Sequence, residues 1–201
     1  MDFQKVVSNL TKNGFAVSCF SSAKDAADYL NSAIDGTRVG IGGSVTVQEM
    51  KLYESLSAHN TVFWHWRIPE GDSRENILKN AQTAEVYLSS VNGLSENGEI
   101  INIDGSGNRV SAIQFGHKKV YLIVGCNKLA PDYEKALFRA RNTAAPKNAQ
   151  RLKLKTPCAK EGKACFDCQS PDRICRGLSV LWKKPNNGEY EIVLVDEELG
   201  Y

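Results

Sequence analysis

The chain has 201 residues, 42% of them hydrophobic and 24% charged, a balance that suits one packed core and excludes a disordered or fibrous chain. Its 25 basic and 23 acidic residues leave a net charge of +2, which gives no broad basic face for nucleic acid. No basic region leads into an apolar stretch and a small-residue cleavage site, and no run approaches the ~18 apolar residues of a membrane span. The expectation is a cytoplasmic protein with neither nucleic-acid nor membrane partners.

In chain order, Phe3, Val6, Val7 and Leu10 recur at helical spacing within Asp2 to Lys12, and Asn13-Gly14 stops that helix. A short strand, Ala16 to Phe20, follows. Ser21 or Ser22 caps a helix that turns Ala26, Ala27 and Leu30 inward, and Arg38-Val39-Gly40-Ile41 reads as a buried strand. From Val47 to about Ser57 the pattern is helical again, with Met50, Leu52 and Leu56 apolar. Val62-Phe63-Trp64 and Glu85 to Leu88 read as strands on either side of a helix around Glu75 to Ala81, an alternation that predicts a parallel sheet.

Asn97-Gly98, between Leu94 and Ile100 to Ile103, predicts an antiparallel hairpin with a type I′ turn. Val120 to Val124 is the expected central strand, and Pro131 to Ala144 a helix with Tyr133, Leu137 and Phe138 inward. From Pro146 the periodicity fades, and a final hairpin is expected from Leu178 to Trp182 and Tyr190 to Val195, turned at Asn186-Asn187-Gly188. The expected whole is a single α/β domain over 1–201: a mostly parallel wound sheet flanked by helices, an antiparallel hairpin, and a cysteine-rich metal-binding insert at 156–177.

Cys158, Cys165, Cys168 and Cys175 are spaced C-x6-C-x2-C-x6-C. In a reducing compartment such a group is more often a metal site than a set of disulfides, and four thiolates suit either tetrahedral zinc or the corners of an iron–sulfur cluster. A four-iron cluster is the first expectation and zinc the alternative; free or paired thiols are the plainer reading. Cys19 and Cys126 adjoin strands and are read as small core residues.

Gly40-Ile41-Gly42-Gly43-Ser44-Val45-Thr46 leads from a strand into a helix, where backbone N–H groups can hold an anion, although glycines there also permit plain close packing. Glu49, in the first turns of that helix, is a candidate base or nucleophile, or else a solvated cap. A second polar stretch includes Asn92 and then Asp104, Gly105, Gly107, Asn108 and Arg109. Arg109 can grip a carboxylate or phosphate bidentately, while the plainer alternative is a turn. Glu49 and Arg109 are thus the candidate chemical groups, with Gly42, Gly43, Ser44, Thr46, Asn92, Asp104, Gly105, Gly107 and Asn108 as candidate ligand-binding residues. His65 is a proton carrier or a packed, hydrogen-bonded histidine; His59 and His117 are read as surface residues.

Taken together, Gly42-Gly43-Ser44-x-Thr46-x-x-Glu49, Asn102-x-Asp104-Gly105-x-Gly107-Asn108-Arg109, Val124-Gly125-x-Asn127-Lys128, Ala145-Pro146-x-Asn148-Ala149 and Thr156-Pro157-Cys158 resemble the LUD-domain family of lactate-utilisation proteins over nearly the whole chain. The resemblance implies the superfold of glucosamine-6-phosphate deaminase, ribose-5-phosphate isomerase and coenzyme A transferases, with ligands over the glycine loop. It also implies a role in lactate or organic-acid metabolism beside iron–sulfur oxidoreductase partners. Two readings stay open. One is a metabolic subunit or enzyme that binds a small anionic organic molecule; the other is a non-catalytic partner or redox-sensing subunit. A nucleic-acid-binding zinc module is the weakest reading, and an exposed sheet edge is compatible with a homodimer.

Overall fold

The computed structural model describes residues 3–201, so the expected helix start at Asp2 lies outside the described residues. Six strands form one parallel sheet: β1 (Ala16–Phe20), β2 (Arg38–Ile41), β3 (Thr61–Trp64), β4 (Val86–Ser90), β7 (Lys119–Gly125) and β10 (Glu189–Val195), in the order β1-β10-β7-β4-β2-β3. Helices α1 (Phe3–Lys12), α2 (Ala23–Ala33), α3 (Val45–Glu49), α4 (Leu52–Leu56), α5 (Arg74–Gln82) and α6 (Asn108–Gln114) flank it.

The two faces of this sheet can be read from strand alternation. In β7, Val120, Leu122 and Val124 join the cluster that holds Val6 and Leu10 of α1, while Tyr121 and Ile123 join the one that holds Leu30 of α2 and Leu52 of α4. Ile192 and Leu194 of β10 fall on the first side, Val193 and Val195 on the second. The wound α/β body expected from the chain pattern is therefore present.

A second sheet departs from that pattern. Its strands, β5 (Gly93–Ser95), β6 (Ile100–Asp104), β8 (Leu129–Ala130) and β9 (Gly177–Leu181), run in the order β8-β5-β6-β9. The expected hairpin is its centre, with Leu94 paired antiparallel to Ile100. Only Gly98 takes a positive φ in the turn, so it is not type I′. Glu96, Asn97 and Gly98 form a longer loop, and Ser95 closes it by accepting from the N–H groups of Asn97 and Glu99. The expected final hairpin does not form. β9 pairs with β6 in the small sheet, whereas β10 enters the main sheet parallel to β1 and β7. The link between them, 182–188, is long enough to change sheets, and Lys184 ties it to Asn13 by a 2.9 Å backbone bond.

Three other local expectations need correcting. The helix expected from Val47 to Ser57 breaks at Lys51, which adopts φ 52°, into α3 and α4 of five residues each. Phe138 points out (62% exposed), and Ala136 takes the inner face of α7 (Tyr133–Arg139) instead, with Tyr133 and Leu137 partly covered. Periodicity does not end at Pro146. A π-helical turn, Ala140–Ala144, carries α7 into α8 (Ala145–Arg151), absorbing the N–H that proline lacks. Cys19 is exposed and Cys126 half-buried, so neither belongs to the core, while His117 is buried against the Ala84 carbonyl at 2.7 Å.

At Gly40, β2 meets α5 so closely that a β-carbon would overlap the Ala81 carbonyl. Gly40→Ala is expected to destabilise the fold by ~1–3 kcal/mol, the usual cost of forced overpacking. Urea unfolding with an unchanged slope and a lowered midpoint is the measurement.

Candidate functional site

Parallel strands aim their carboxyl ends at one edge, and ligands in such sheets collect where the winding reverses. From β2 the chain goes outward to β3 and then back, placing β4 on β2's other side, so the reversal lies between β2 and β4. A cavity of about 350 Å³ opens there. Gly43, Ser44 and Thr46 follow β2, His65 and Trp66 follow β3, Ser90 and Asn92 come from the end of β4, and Lys128 follows β7. The small sheet contributes Ile103 and Asp104, the next turn Asn108 and Arg109, and α8 adds Asn148 and Arg151.

Most of the predicted ligand-binding residues are thus brought together: Gly43, Ser44, Thr46, Asn92, Asp104, Gly105, Asn108 and Arg109 all line this cavity. Gly42, Gly107 and Glu49 lie outside its lining. Gly42 has a different task. A β-carbon there would stand 2.8 Å from the Tyr87 hydroxyl and 3.0 Å from Arg109 Cγ, so its absence leaves room for the arginine. Glu49 is exposed and accepts the Gly200 N–H at 2.7 Å. The five-residue α3 is too short for the anion-holding helix end that the sequence suggested.

Asp104 and Asn92 act on the scaffold. The Asp104 carboxylate accepts from the backbone N–H groups of Ser106 (3.2 Å), Arg109 (2.8 Å) and Val110 (3.2 Å), so these amides are already used. Asn92 Oδ1 accepts from Ile103 N at 2.7 Å and from the Arg109 guanidinium at 3.4 Å, which also donates to the Ile103 carbonyl and approaches Asp104 at 3.9 Å. Arg109 is therefore held in place, with its side chain 14% exposed.

Lys128 is the residue that spacing did not single out, although it stood in one of the quoted motifs. It is 2% exposed, and its Nζ donates to Thr46 Oγ1 and Ser90 Oγ at 2.7 Å each. Burial, reinforced by Arg139 and Arg109 and opposed by Glu49, pulls its pKa down to about 7. Arg139 is itself buried enough to drop to about 10, and it fixes the loop carbonyls of Asn127 and Asn92 at 2.7 and 2.6 Å. His65 is pushed down to about 4, first by burial and then by Arg74, Arg109 and Arg151 against Asp104, and its Nδ1 has no hydrogen-bond partner. It is not the hydrogen-bonded histidine of the plainer expectation. Arg151 stacks over Trp66 at the cavity wall, 4.5 Å from the ring centre. The chamber thus gathers cations around one carboxylate whose lone pairs are committed to backbone amides.

Cys158, Cys165, Cys168 and Cys175 line one smaller cavity of about 20 Å³ together with Arg173 and Phe166. Ala145 and Ile174 border both chambers. Among the described residues no three His, Cys, Asp or Glu side chains are grouped so that they could hold one metal ion. All six cysteines are free. The loop is nevertheless well tied. Arg173 donates to the Cys168 and Cys175 carbonyls and to Asp167, and Cys165 Sγ receives the Asp167 N–H at 3.4 Å and Arg141 at 3.6 Å. Ala164 and Asp167, at φ 60° and 44°, bend the chain around the sulfurs.

The LUD domain family model matches residues 3–195. A solved structure of a DUF162 family protein from Deinococcus radiodurans has the same fold, with a TM-score of 0.52 at 13% identity, covering 96% of this chain and 95% of that one. No curated protein matches the chain. Among the described residues no helix is long and apolar enough to cross a membrane.

The pH dependence of stability follows from His65. Its folded pKa of about 4 lies below the ordinary 6.5, so the unfolded chain takes up the proton first and stability falls as pH drops from ~6.5 to ~4. His117, also lowered by burial, acts in the same direction. His65→Phe is expected to remove on the order of 1–3 kcal/mol of that acid-side loss. Denaturant midpoints across this pH range measure it.

Proposed function

The chain belongs to the LUD-domain family, and on that premise we propose that it binds a small anionic organic molecule in the cavity at the strand ends, in a role related to lactate or other organic-acid utilisation. The observation that carries this reading is Lys128: an amine enclosed among hydroxyls, with no carboxylate bound to it among the described residues, beside the anchored Arg109. Enclosing such groups costs several kcal/mol unless an opposite charge or a neutral form relieves it. An anion entering the chamber supplies that charge. Arg109, whose Nη2 is already bonded to Asn92 and Ile103, suits a charged contact with carboxylate or phosphate through its remaining N–H groups, and Lys128 suits a point contact with the same group.

The four cysteines are proposed to hold a four-iron cluster, with zinc as the alternative. Four soft thiols lining one cavity support a thiolate-held centre. Arg141 and the Asp167 N–H donate to Cys165 Sγ, and the Arg173 guanidinium lies beside Cys175, contacts that orient the sulfurs. When bound, such a cluster supplies one-electron transfer. Exposed Phe166 on the rim of this cavity, with Phe138 of the neighbouring α7 also bare, favours a second reading. In it the chain is a partner or redox-sensing subunit of an iron–sulfur oxidoreductase system and docks through that face.

Calorimetry against lactate, pyruvate, a phosphosugar and a coenzyme A thioester tests the binding reading. At least one of them is expected to bind, with Arg109→Ala weakening it at least ~10-fold, as loss of a charged hydrogen bond does. Affinity is expected to fall as pH rises through about 7, where Lys128 loses its proton; silence across the whole panel would sink the reading. Anaerobically purified protein should contain ~4 irons and acid-labile sulfide per chain, lost in Cys168→Ser, whereas about one zinc would assign the alternative.

A further inference from the structure

Both hydroxyls that hold Lys128 spend their own hydrogens elsewhere. Thr46 Oγ1 donates to the Leu199 carbonyl at 3.2 Å and Ser90 Oγ to the Ile123 carbonyl at 2.5 Å. Each therefore meets the amine only as an acceptor. A neutral amine has two hydrogens and one lone pair, and the two acceptors use both hydrogens. The lone pair is left without a donor, and Lys128 is one of the residues lining the cavity. An ammonium in the same position carries a third N–H with no bound carboxylate, and the charged groups acting on it, Arg139 of α7 and Arg109 of α6 against Glu49 of α3, include two cations. The hydrogen-bond count and the surrounding charge both fit the neutral form. Buried amines of this kind are the ones that act as nucleophiles toward carbonyl compounds.

We propose that the cavity accepts a small 2-oxo carboxylate, that Arg109 holds its carboxylate, and that the Lys128 amine forms an imine with its ketone carbon. This rests on the anion-binding reading given above and narrows it to one substrate class. The lone pair of Nζ forms the carbon–nitrogen bond while the carbonyl π pair moves onto oxygen, which takes a proton. The resulting carbinolamine loses that oxygen as water, and nitrogen gives up its protons as the double bond forms. Nothing is oxidised or reduced: amine and ketone give imine and water. His65 lines the same cavity, with its buried Nδ1 lacking a hydrogen-bond partner among the described residues.

The test uses the full chain as purified, incubated with pyruvate and cyanoborohydride, and then digested and mapped by mass spectrometry. The expected result is one reduced adduct on the peptide that contains Lys128, formed faster at pH 8 than at pH 6. The pyruvate concentration for half-maximal labelling should rise at least ~10-fold in Arg109→Ala, the loss expected for a charged contact. Lys128→Arg should give no adduct while keeping the folded circular-dichroism spectrum, and the mapping on the unaltered protein stands without any variant. Labelling at another lysine overturns the imine. So does the absence of an adduct under conditions where calorimetry registers pyruvate binding, and the anion-binding reading then survives it. Absence of both pyruvate binding and adduct overturns the 2-oxo carboxylate assignment, and silence across the whole calorimetric panel overturns the anion-binding reading with it.

Discussion

Parallel pairing of β7, β4, β2 and β3 is the constraint from which the site follows. Strands that run the same way must release their chains at the same edge, so the residues after Ile41, Trp64, Ser90 and Gly125 meet although they are far apart in sequence. Register then sets the fine placement. Ser90 stands opposite Ile123, whose carbonyl it reaches, and that bond orients the hydroxyl that receives Lys128. A slip in pairing would move both partners and leave an amine without acceptors.

The chamber is electrostatically lopsided by construction. Asp104 could have neutralised Arg109, but its carboxylate is spent on the first turn of α6, and the closest guanidinium approach is 3.9 Å. Glu49 could have answered Lys128, but it is turned toward the Gly200 amide. Each acid near the chamber is thus committed to shaping the backbone, and positive charge is left over around the cavity. Such an excess is a standing cost to the fold that an incoming anion, or loss of the Lys128 proton, relieves.

Much of this was legible in the chain. The continuous apolar run Val120–Val124 marked a central strand buried on both faces, and helical spacing in Phe3–Leu10 marked a helix with one apolar face to pack on the sheet. Polar residues among glycines marked part of the cavity lining. What stayed hidden depended on distant contacts. Nothing local told that β9 and β10 would choose different sheets, that Lys51 would break a helix, or that Ala136 rather than Phe138 would face inward. Lys128 looked like any charged surface residue. Its burial is set by Thr46 and Ser90, which are 82 and 38 positions away, and no window around it reveals them.

Ala145 and Ile174 border both the cationic chamber and the cysteine-lined cavity, and Ile174 immediately precedes Cys175. Gly105 leaves just enough room for this contact, since a β-carbon there would come within 2.9 Å of the Ile174 carbonyl. Occupants on opposite sides of so thin a partition cannot be energetically independent if filling one side shifts it. Thermodynamic reciprocity then requires that whatever factor an inorganic centre imposes on affinity for the organic anion, the anion imposes the same factor on retention of that centre.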